Sequence, residues 1–357
     1  METEVLIVGA GPVGLTCSIL LSRLGVDNRV IERREGLHAL PQAHVVSSRT
    51  MEIFRAAGID EGSLRAVASP PGDLASIQWV HTLAGPELGR IQMSTPERVI
   101  KMLTTSPSPM ANISQHRLEP ILLEEARKRG ASVEFGVEWQ SMESEGDGVA
   151  SQVGGPGGPG SVSSRFVLGC DGAASRVRRE LDIPMTGPDR IETILNVHVA
   201  ANWRPLLAER PAILYWHMDP EEPGFFVAHD IDSTFVYMHP YDPAARSQDD
   251  FDEATCRGMV RRALGADLPF EILAIDSWVM TAQVAEHYGD APVFLVGDAA
   301  HRFPPSGGLG MNTGVADAYN LAWKLAAVLG GRAGTPLLST YEAERRDVAI
   351  SNSDTSF

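Results

Sequence analysis

The stretch VLIVGAGPVGLTCSILLSRLG, residues 5–25, decides the fold. It opens on a short apolar run that contains β-branched residues, a pattern that predicts a buried strand. Three glycines in the spacing GxGxxG follow at once, and apolar residues then recur at helical spacing until Gly25 ends the pattern. Pro12 fits a first helical turn because its missing N–H needs no partner there. The stretch therefore predicts a strand, a tight turn and a helix in direct succession.

The glycine spacing has a chemical meaning in this context. Gly9 is expected to make the tight turn, Gly11 to let a pyrophosphate approach the backbone, and Gly14 to let helix and strand pack closely. The next apolar run, residues 28–33, predicts a second parallel strand, and its Glu32 is placed to accept hydrogen bonds from ribose hydroxyls. These features predict a dinucleotide site with phosphates at a helix N-terminus. They do not distinguish NAD from FAD, and an ordinary turn with incidental glycines is the alternative.

Composition narrows the function classes. The 357 residues, 43% of them hydrophobic, suffice for one large core or two moderate ones. A formal net charge of −16 argues against binding nucleic acid or an anionic membrane, because both require a basic surface. The three cysteines, at positions 17, 170 and 256, have no metal-like spacing and suit a reducing compartment. With an amino terminus that does not read as a signal peptide, the sequence predicts a cytoplasmic protein without a metal site.

The pattern changes in the second half of the chain. Residues 190–284 contain several extended stretches and predict a mostly antiparallel sheet, in which Phe235, Tyr237 and His239 share one face. The predicted fold class is thus α/β: a Rossmann-like domain with a parallel sheet, plus an inserted α+β domain. The run GGPGGPG, residues 154–160, is interpreted as a hairpin loop and not as a linker.

A second glycine-rich stretch, GDAAHRFPPSGGLGMNTG at residues 297–314, follows another apolar run. This run, residues 293–296, predicts a strand that places Asp298 at its carboxyl end, where ligands of such sheets bind. The later glycines follow prolines instead of a strand, so they are not a second dinucleotide turn. His301 is interpreted as a hydrogen-bonded scaffold residue.

After these glycines the sequence predicts a helix that begins near Thr313, is capped by Asn312 or Thr313, and is stopped by Gly330. A helix N-terminus reached through a glycine-rich loop favours developing negative charge. A reduced flavin is such a group.

Three segments together carry a family resemblance: GAGPVG with Glu32, GCDGAASRVR at residues 169–178, and residues 293–325. They resemble the signatures of the single-component FAD-dependent aromatic hydroxylases, most closely the phenol hydroxylase and polyketide hydroxylase branch, over essentially the whole chain. The resemblance implies FAD as cofactor, NADPH or NADH as co-substrate, and hydroxylation of a phenolic or polyketide-type ring with O2 through a C4a-hydroperoxyflavin. Epoxidation, Baeyer–Villiger oxidation, an inactive FAD-binding remnant and a binding module are the alternatives.

The resemblance also implies roles for residues. The cofactor-binding set is Gly9, Gly11, Pro12, Gly14, Glu32, Arg33, Arg49, Gln115, Asp171, Asp298, Gly310, Met311 and Asn312. Within it, Asp298 is expected to bond a ribityl hydroxyl, residues 310–312 to face the isoalloxazine, Gln115 to lie beside the cofactor and Arg49 near its phosphates. Pro304 is expected to line the reactive edge of the flavin as the catalytic contact.

Two further assignments are open to plainer readings. Asp171 and Arg176 match the family's DG motif, which serves FAD and the nicotinamide, yet an ordinary Asp-Gly turn is the alternative. Four aromatic residues are expected to line the substrate cavity, although each alone also fits a core position: Tyr215, Phe226, Phe235 and Tyr237.

The same resemblance divides the chain. Residues 1–75, 110–185 and 286–357 are expected to form the FAD-binding domain, and residues 76–109 and 186–285 the substrate-binding domain. The protein is expected to be a monomer or a homodimer.

Two positions depart from the family pattern. Gln42 stands where many members have arginine, and Asp347 stands where proline is common. The carboxyl-terminal thioredoxin-like domain usual in this branch is expected to be absent from this chain.

Overall fold

A computed structural model of the chain describes residues 2–74 and 76–356. The strands are β1 Glu2–Val8, β2 Asn28–Glu32, β3 Val45–Val46, β4 Ser76–Val80, β5 Glu87–Gln92, β6 Ala111–Asn112, β7 Ser132–Phe135, β8 Glu138–Glu145, β9 Gly148–Gly155, β10 Gly158–Gly169, β11 Met185–Thr186, β12 Glu192–Ala200, β13 Leu214–His217, β14 Gly224–Asp230, β15 Thr234–Tyr241, β16 Glu271–Met280, β17 Gln283–Ala285, β18 Val293–Leu295 and β19 His301–Arg302. The helices are α1 Pro12–Arg23, α2 Ser48–Ala56, α3 Glu61–Ala66, α4 Pro96–Thr105, α5 Gln115–Lys128, α6 Arg176–Glu180, α7 Arg204–Leu207, α8 Glu253–Leu264, α9 Leu309–Leu329 and α10 Pro336–Ser356.

The first sheet has the strand order β7-β2-β1-β10-β9-β8, and β18 pairs with the carboxyl half of β10. Strands β7, β2, β1, β10 and β18 run parallel, whereas β8 and β9 form an antiparallel extension. The predicted strand, turn and helix at the amino terminus are confirmed as β1 and α1, and the second parallel strand as β2. The GGPGGPG run is confirmed as the tip of the β9–β10 hairpin.

Helix α1 packs against α5 and α9, and α9 packs against α10. The β1 side chains beneath them, Val5, Leu6 and Ile7, are fully buried. Burial of each such side chain stabilises the fold by about 1.5–3 kcal/mol. This core fixes the carboxyl ends of β1, β10 and β18 relative to one another, and those ends hold the candidate site.

The second sheet has the order β16-β12-β15-β14-β13-β4-β5 and is antiparallel except for the β13–β4 pair, as the sequence predicts. Helix α8 covers one of its faces and forms a second core with it. The register places Phe235, Tyr237 and His239 at alternate positions of β15, which confirms that they share a face.

Helix α9 begins at Leu309, four residues before the predicted start, and its N-cap is Gly308. Neither Asn312 nor Thr313 caps it, because both already lie inside its first turns. The predicted stop at Gly330 is confirmed as the C-cap. Within residues 2–74 and 76–356, no helix has the length and apolar character needed to cross a membrane.

Candidate functional site

The first glycine turn joins β1 to α1 at a point where backbone segments nearly touch. Gly9 has φ +110°, and a Cβ there would lie 2.3 Å from the carbonyl oxygen of Cys170. A Cβ on Gly14 would lie 2.0 Å from the oxygen of Gly9, whereas one on Gly11 would meet nothing within 4 Å. Packing therefore explains Gly9 and Gly14, while Gly11 leaves open space at the N-terminus of α1, where Pro12 occupies the first position.

Glu32 ends β2 next to this turn. Its Oε2 accepts the backbone N–H of Ala10 at 2.9 Å, and its Oε1 accepts the backbone N–H of Arg34 at 3.0 Å. Burial alone raises the pKa of Glu32, but the Arg34 and Ala10 hydrogen bonds outweigh it, so the net pKa is lowered. The carboxylate thus holds the glycine turn against β2. Arg33 is exposed, and its role in cofactor binding stays a prediction.

Asp298 lies in a 3-10 turn, Gly297–Ala299, just beyond β18. Its side chain is exposed, and its carboxylate has no hydrogen-bond partner among the described residues. Surrounding protein atoms nevertheless raise its pKa by desolvation, against the opposing charges of His301 and Arg302. The Asp298 carboxylate is therefore exposed yet held in surroundings that disfavour its charged form.

The N-terminus of α9 lies against the Asp298 turn, since a Cβ on Gly314 would come within 3.1 Å of Gly297 Cα. Gly310 and Met311 lie in the first turn of α9, which has no side-chain cap and follows directly on the 3-10 turn Ser306–Gly308. The helix dipole makes this uncapped end electropositive. It lies next to the turn that carries the exposed Asp298 carboxylate.

Asn312 fastens the start of α9 to the segment that precedes α2. Its Oδ1 accepts the backbone N–H of Ser47 at 2.9 Å and the hydroxyl of Thr50 at 2.6 Å, and its Nδ2 donates to the Val45 carbonyl at 2.8 Å. These bonds occupy the side chain. Only its backbone remains for the contact that the family resemblance implies.

His301 is a buried structural residue. Its Nε2 lies 2.6 Å from Oδ2 of Asp317 in α9, and Oδ1 of Asp317 accepts Nε of Arg345 at 2.7 Å. The imidazole stacks on Phe303, with ring centres 4.9 Å apart and planes 8° apart. The adjacent Pro304 is buried in the same loop.

Gln115 and Arg49 belong to different helices, α5 and α2. Gln115 begins α5, donates from Nε2 to Glu119 at 2.8 Å, and is tied by its backbone to Ala43. Arg49 is 63% exposed, pairs with Glu52 at 3.0 Å and lies over the ring of Tyr319. Its other neighbours form a surface depression, so its predicted place near the phosphates stays a prediction.

Asp171 partly fits the structural alternative to a cofactor role, an ordinary Asp-Gly turn. Its Oδ2 accepts the backbone N–H groups of Arg176 at 2.7 Å and Val177 at 3.1 Å, which caps α6. Its Oδ1 is buried without a partner among the described residues. One oxygen is therefore structural and one is free.

The aromatic residues assigned to the substrate cavity are instead core residues. Tyr215, Phe226, Phe235 and Tyr237 are fully buried and belong to the core between the second sheet and α8. The alternation of β-strand side chains sends them to the face that α8 covers. A substrate could contact these four side chains only if that core opened. The prediction that they line the substrate cavity is therefore corrected.

Three residues of the site escaped sequence reasoning: Arg34, Asp317 and Arg345. Arg34 follows Glu32 by two positions, just beyond the end of β2, so a nearby basic partner for Glu32 is visible in the sequence. Asp317 is a charged residue within an otherwise apolar helical face, and such a residue requires a buried partner. The contact of Arg345 with Asp317 cannot be predicted from nearby residues in the sequence, because it depends on how α10 packs on α9.

Comparisons with known proteins agree on one family. The sequence profile of a family described as "FAD binding domain" matches residues 2–356. The chain is 36% identical over 356 residues to aklavinone 12-hydroxylase RdmE of Streptomyces purpurascens, covering 98% of this chain and 66% of that protein. It is 34% identical over 360 residues to 2,4-dichlorophenol 6-monooxygenase of Delftia acidovorans, covering 98% of this chain and 61% of the relative.

The fold is also similar to a solved structure, the flavin-dependent monooxygenase PieE in complex with FAD and substrate. The TM-score is 0.94 at 35% identity, over 100% of this chain and 63% of that one. The mixed α/β fold class predicted from the sequence is thereby confirmed. The chain spans about six tenths of the length of several curated relatives that it matches.

Proposed function

The chain belongs to the FAD-binding-domain family, and on that premise we propose that it binds FAD and hydroxylates an aromatic substrate with NADPH or NADH and O2. The relatives' names supply the class: a dichlorophenol monooxygenase and a protein named "Putative polyketide hydroxylase", at 34% and 39% identity over 98% of this chain. The substrate is a phenolic or polyketide-type ring.

The pyrophosphate end of FAD fits the first glycine turn. Open space at Gly11, the lack of a side-chain cap on α1 and the N-terminal partial charge of that helix suit phosphate oxygens. The carboxylate of Glu32 accepts hydrogen bonds from the Ala10 N–H and from the backbone N–H, Nε and Nη2 of Arg34, so a ribose hydroxyl would reach it by displacing a bond of the Arg34 guanidinium.

The flavin end fits the second glycine-rich loop. Asp298 offers a carboxylate without a protein partner among the described residues, which suits a ribityl hydroxyl donor, and the uncapped N-terminus of α9 suits an electron-rich carbonyl edge. This pairing of an exposed carboxylate with an uncapped helix N-terminus is the observation that carries the proposal.

When bound, FAD would supply the redox chemistry, namely reduction by the nicotinamide and activation of O2, with one oxygen atom going to an electron-rich ring and the other to water. The residues of the chain position the cofactor and the substrate and shield them from water. Asn312 holds the start of α9, and Asp317 holds His301, so the loop that carries Pro304 stays fixed. The full burial of His301 and its bond to Asp317 support a structural role for this residue.

We assign a different ligand to each of the two sheets. We propose that the first sheet, with residues 1–75, 110–185 and 286–357, holds FAD, and that residues 76–109 and 186–285 hold the substrate. The three cysteines are free thiols, which fits the reducing cytoplasm that we propose as its compartment. Among the described residues, no group of three or more His, Cys, Asp or Glu side chains is arranged to hold a metal ion.

Reconstitution tests the proposal. The purified chain is expected to take up FAD and turn yellow, to oxidise NADPH or NADH faster when a suitable phenol or aromatic polyketide is added, and to incorporate one atom of ¹⁸O2 into the product. Protein that takes up no FAD contradicts the flavoenzyme assignment. Bound FAD without substrate-stimulated oxidation across the panel favours an inactive remnant, and an epoxide or ester product favours the related flavin chemistries.

A further inference from the structure

A row of side chains crosses the second sheet on the face away from α8. The strand registers align six residues on β4, β13, β14, β15, β12 and β16: Trp79, Trp216, Phe225, Met238, Asn196 and Asp276. None of them belongs to the α8 core, and each keeps some exposure. Trp216 and Phe225 pack with ring centres 4.7 Å apart. The row is thus aromatic and apolar along most of its length and polar at one end.

This face is turned towards the first sheet and its helices. At the end of β14, the His229 ring lies 4.8 Å from that of His44, and its Nδ1 lies 2.8 Å from the hydroxyl of Ser114, the residue before Gln115. Asp276 lies close enough to His38, in the loop after β2, for that charge to contribute to lowering its pKa. The polar end of the row therefore lies beside the half of the molecule that we assign to FAD.

Two partly hidden donors hold the carboxylate at that end. Oδ1 of Asp276 accepts Nδ2 of Asn196 at 2.9 Å, and Oδ2 accepts Nε2 of His198 at 2.9 Å. The Asp276 side chain is 46% exposed, whereas that of His198 is 4% exposed. Trp278 donates to Asn196 at 3.3 Å and fixes the amide orientation. A carboxylate has about four acceptor positions, so Asp276 keeps free ones directed outwards.

Resting on the proposed function, we propose that Asp276 is a substrate-binding residue that accepts the hydrogen bond of a hydroxyl on the aromatic substrate. The ring of that substrate lies along the row, against Met238 and Phe225, where flat apolar surface and polarisable sulfur favour an aromatic ring. Asn196 and His198 are positioning residues, because they orient the carboxylate without needing to touch the substrate.

Binding of a matched pair of probes tests this assignment. The chain reconstituted with FAD is titrated calorimetrically with 1-naphthol and with its methyl ether, which lacks the donor hydrogen. Asp276→Ala is expected to weaken 1-naphthol binding about ten- to hundredfold, the range for a hydrogen bond to a charged group, and to leave the ether unaffected. Asp276→Asn keeps one acceptor oxygen and is expected to fall in between.

Glu271→Gln is the matched control, because it removes an exposed carboxylate from the same strand. It is expected to bind both probes as the unaltered chain does. Equal 1-naphthol affinity in Asp276→Ala and the unaltered chain overturns the inference while leaving the proposed function intact. Failure of the unaltered chain to take up FAD overturns the proposed function itself, and the assignment of Asp276 falls with it.

Discussion

Nε2 of His301 lies 2.6 Å from Oδ2 of Asp317, and neither side chain has any exposed surface. The other oxygen of Asp317 accepts Nε of Arg345. One carboxylate therefore joins the loop after β18, the helix α9 and the helix α10. Because Asp298 and the uncapped N-terminus of α9 flank this junction, it sets the shape of the proposed flavin site.

The first prediction concerns that junction. Asp317→Asn is expected to lower the free energy of unfolding by about 3 kcal/mol, because it leaves the largely buried Arg345 guanidinium without its counter-charge. FAD affinity is expected to fall as well, since the loop loses its fixed geometry. Urea unfolding and FAD titration measure the two effects.

Asp347→Asn is the control, because Asp347 is exposed on the same helix, α10. It is expected to change neither quantity. A stable Asp317→Asn protein with unchanged FAD affinity would show that the junction does not support the site.

The second prediction separates packing from ligand contact in the first glycine turn. Gly9→Ala is expected to destabilise the chain by about 3 kcal/mol, because its Cβ overlaps the Cys170 oxygen at a φ of +110°. Gly11→Ala has no such overlap and is expected to cost less than about 1 kcal/mol while weakening FAD binding. Melting curves without FAD and flavin fluorescence titrations distinguish them. Equal loss of stability in both variants is the contrary result.

The third prediction concerns pH. The pKa of Glu32 is lowered in the folded chain from an ordinary value of 4.5, so the unfolded chain binds the proton more readily. Its contribution is therefore present above about pH 4.5 and is lost as the pH falls through the folded-state pKa. Glu32→Gln is expected to flatten the fall in stability between about pH 5 and pH 3 in urea unfolding. Glu35→Gln, at an exposed neighbouring position, should leave the curve as it is.

The fourth prediction sets stability against binding. Desolvation raises the pKa of Asp298, so its ionised form is disfavoured in the FAD-free chain and stability falls as the pH rises through that range. Asp298→Asn is expected not to lower the melting temperature without FAD and to weaken FAD binding about tenfold. Asp290→Asn, which is exposed, is the control. An Asp298→Asn chain that binds FAD as tightly as before contradicts the ribityl role.

The sequence predicted features that depend on neighbours along the chain. The strand before Gly9, the helix after it and the hairpin tip at residues 154–160 follow from local spacing and turn chemistry. The start of α9 was placed late because Gly308, at φ +63°, lets the helix begin within the glycine run that local rules treat as loop.

Features that depend on sheet packing could not be predicted. Alternation shows that Phe226 and Phe225 point to opposite faces, but nothing local says which face α8 covers. The four aromatic residues that the sequence assigns to the substrate cavity lie on the face that α8 covers. The Arg345 contact with Asp317 likewise spans two helices and has no spacing rule.

The last prediction tests this correction directly. Tyr237 is fully buried, and its hydroxyl has no hydrogen-bond partner among the described residues. An unpartnered buried hydroxyl costs free energy, so Tyr237→Phe is expected to leave stability unchanged or raise it by about 1 kcal/mol. Affinity for phenols should not change, because α8 closes this face. A Tyr237→Phe chain of unaltered stability that loses affinity for 1-naphthol but not for its methyl ether would return Tyr237 to the substrate site.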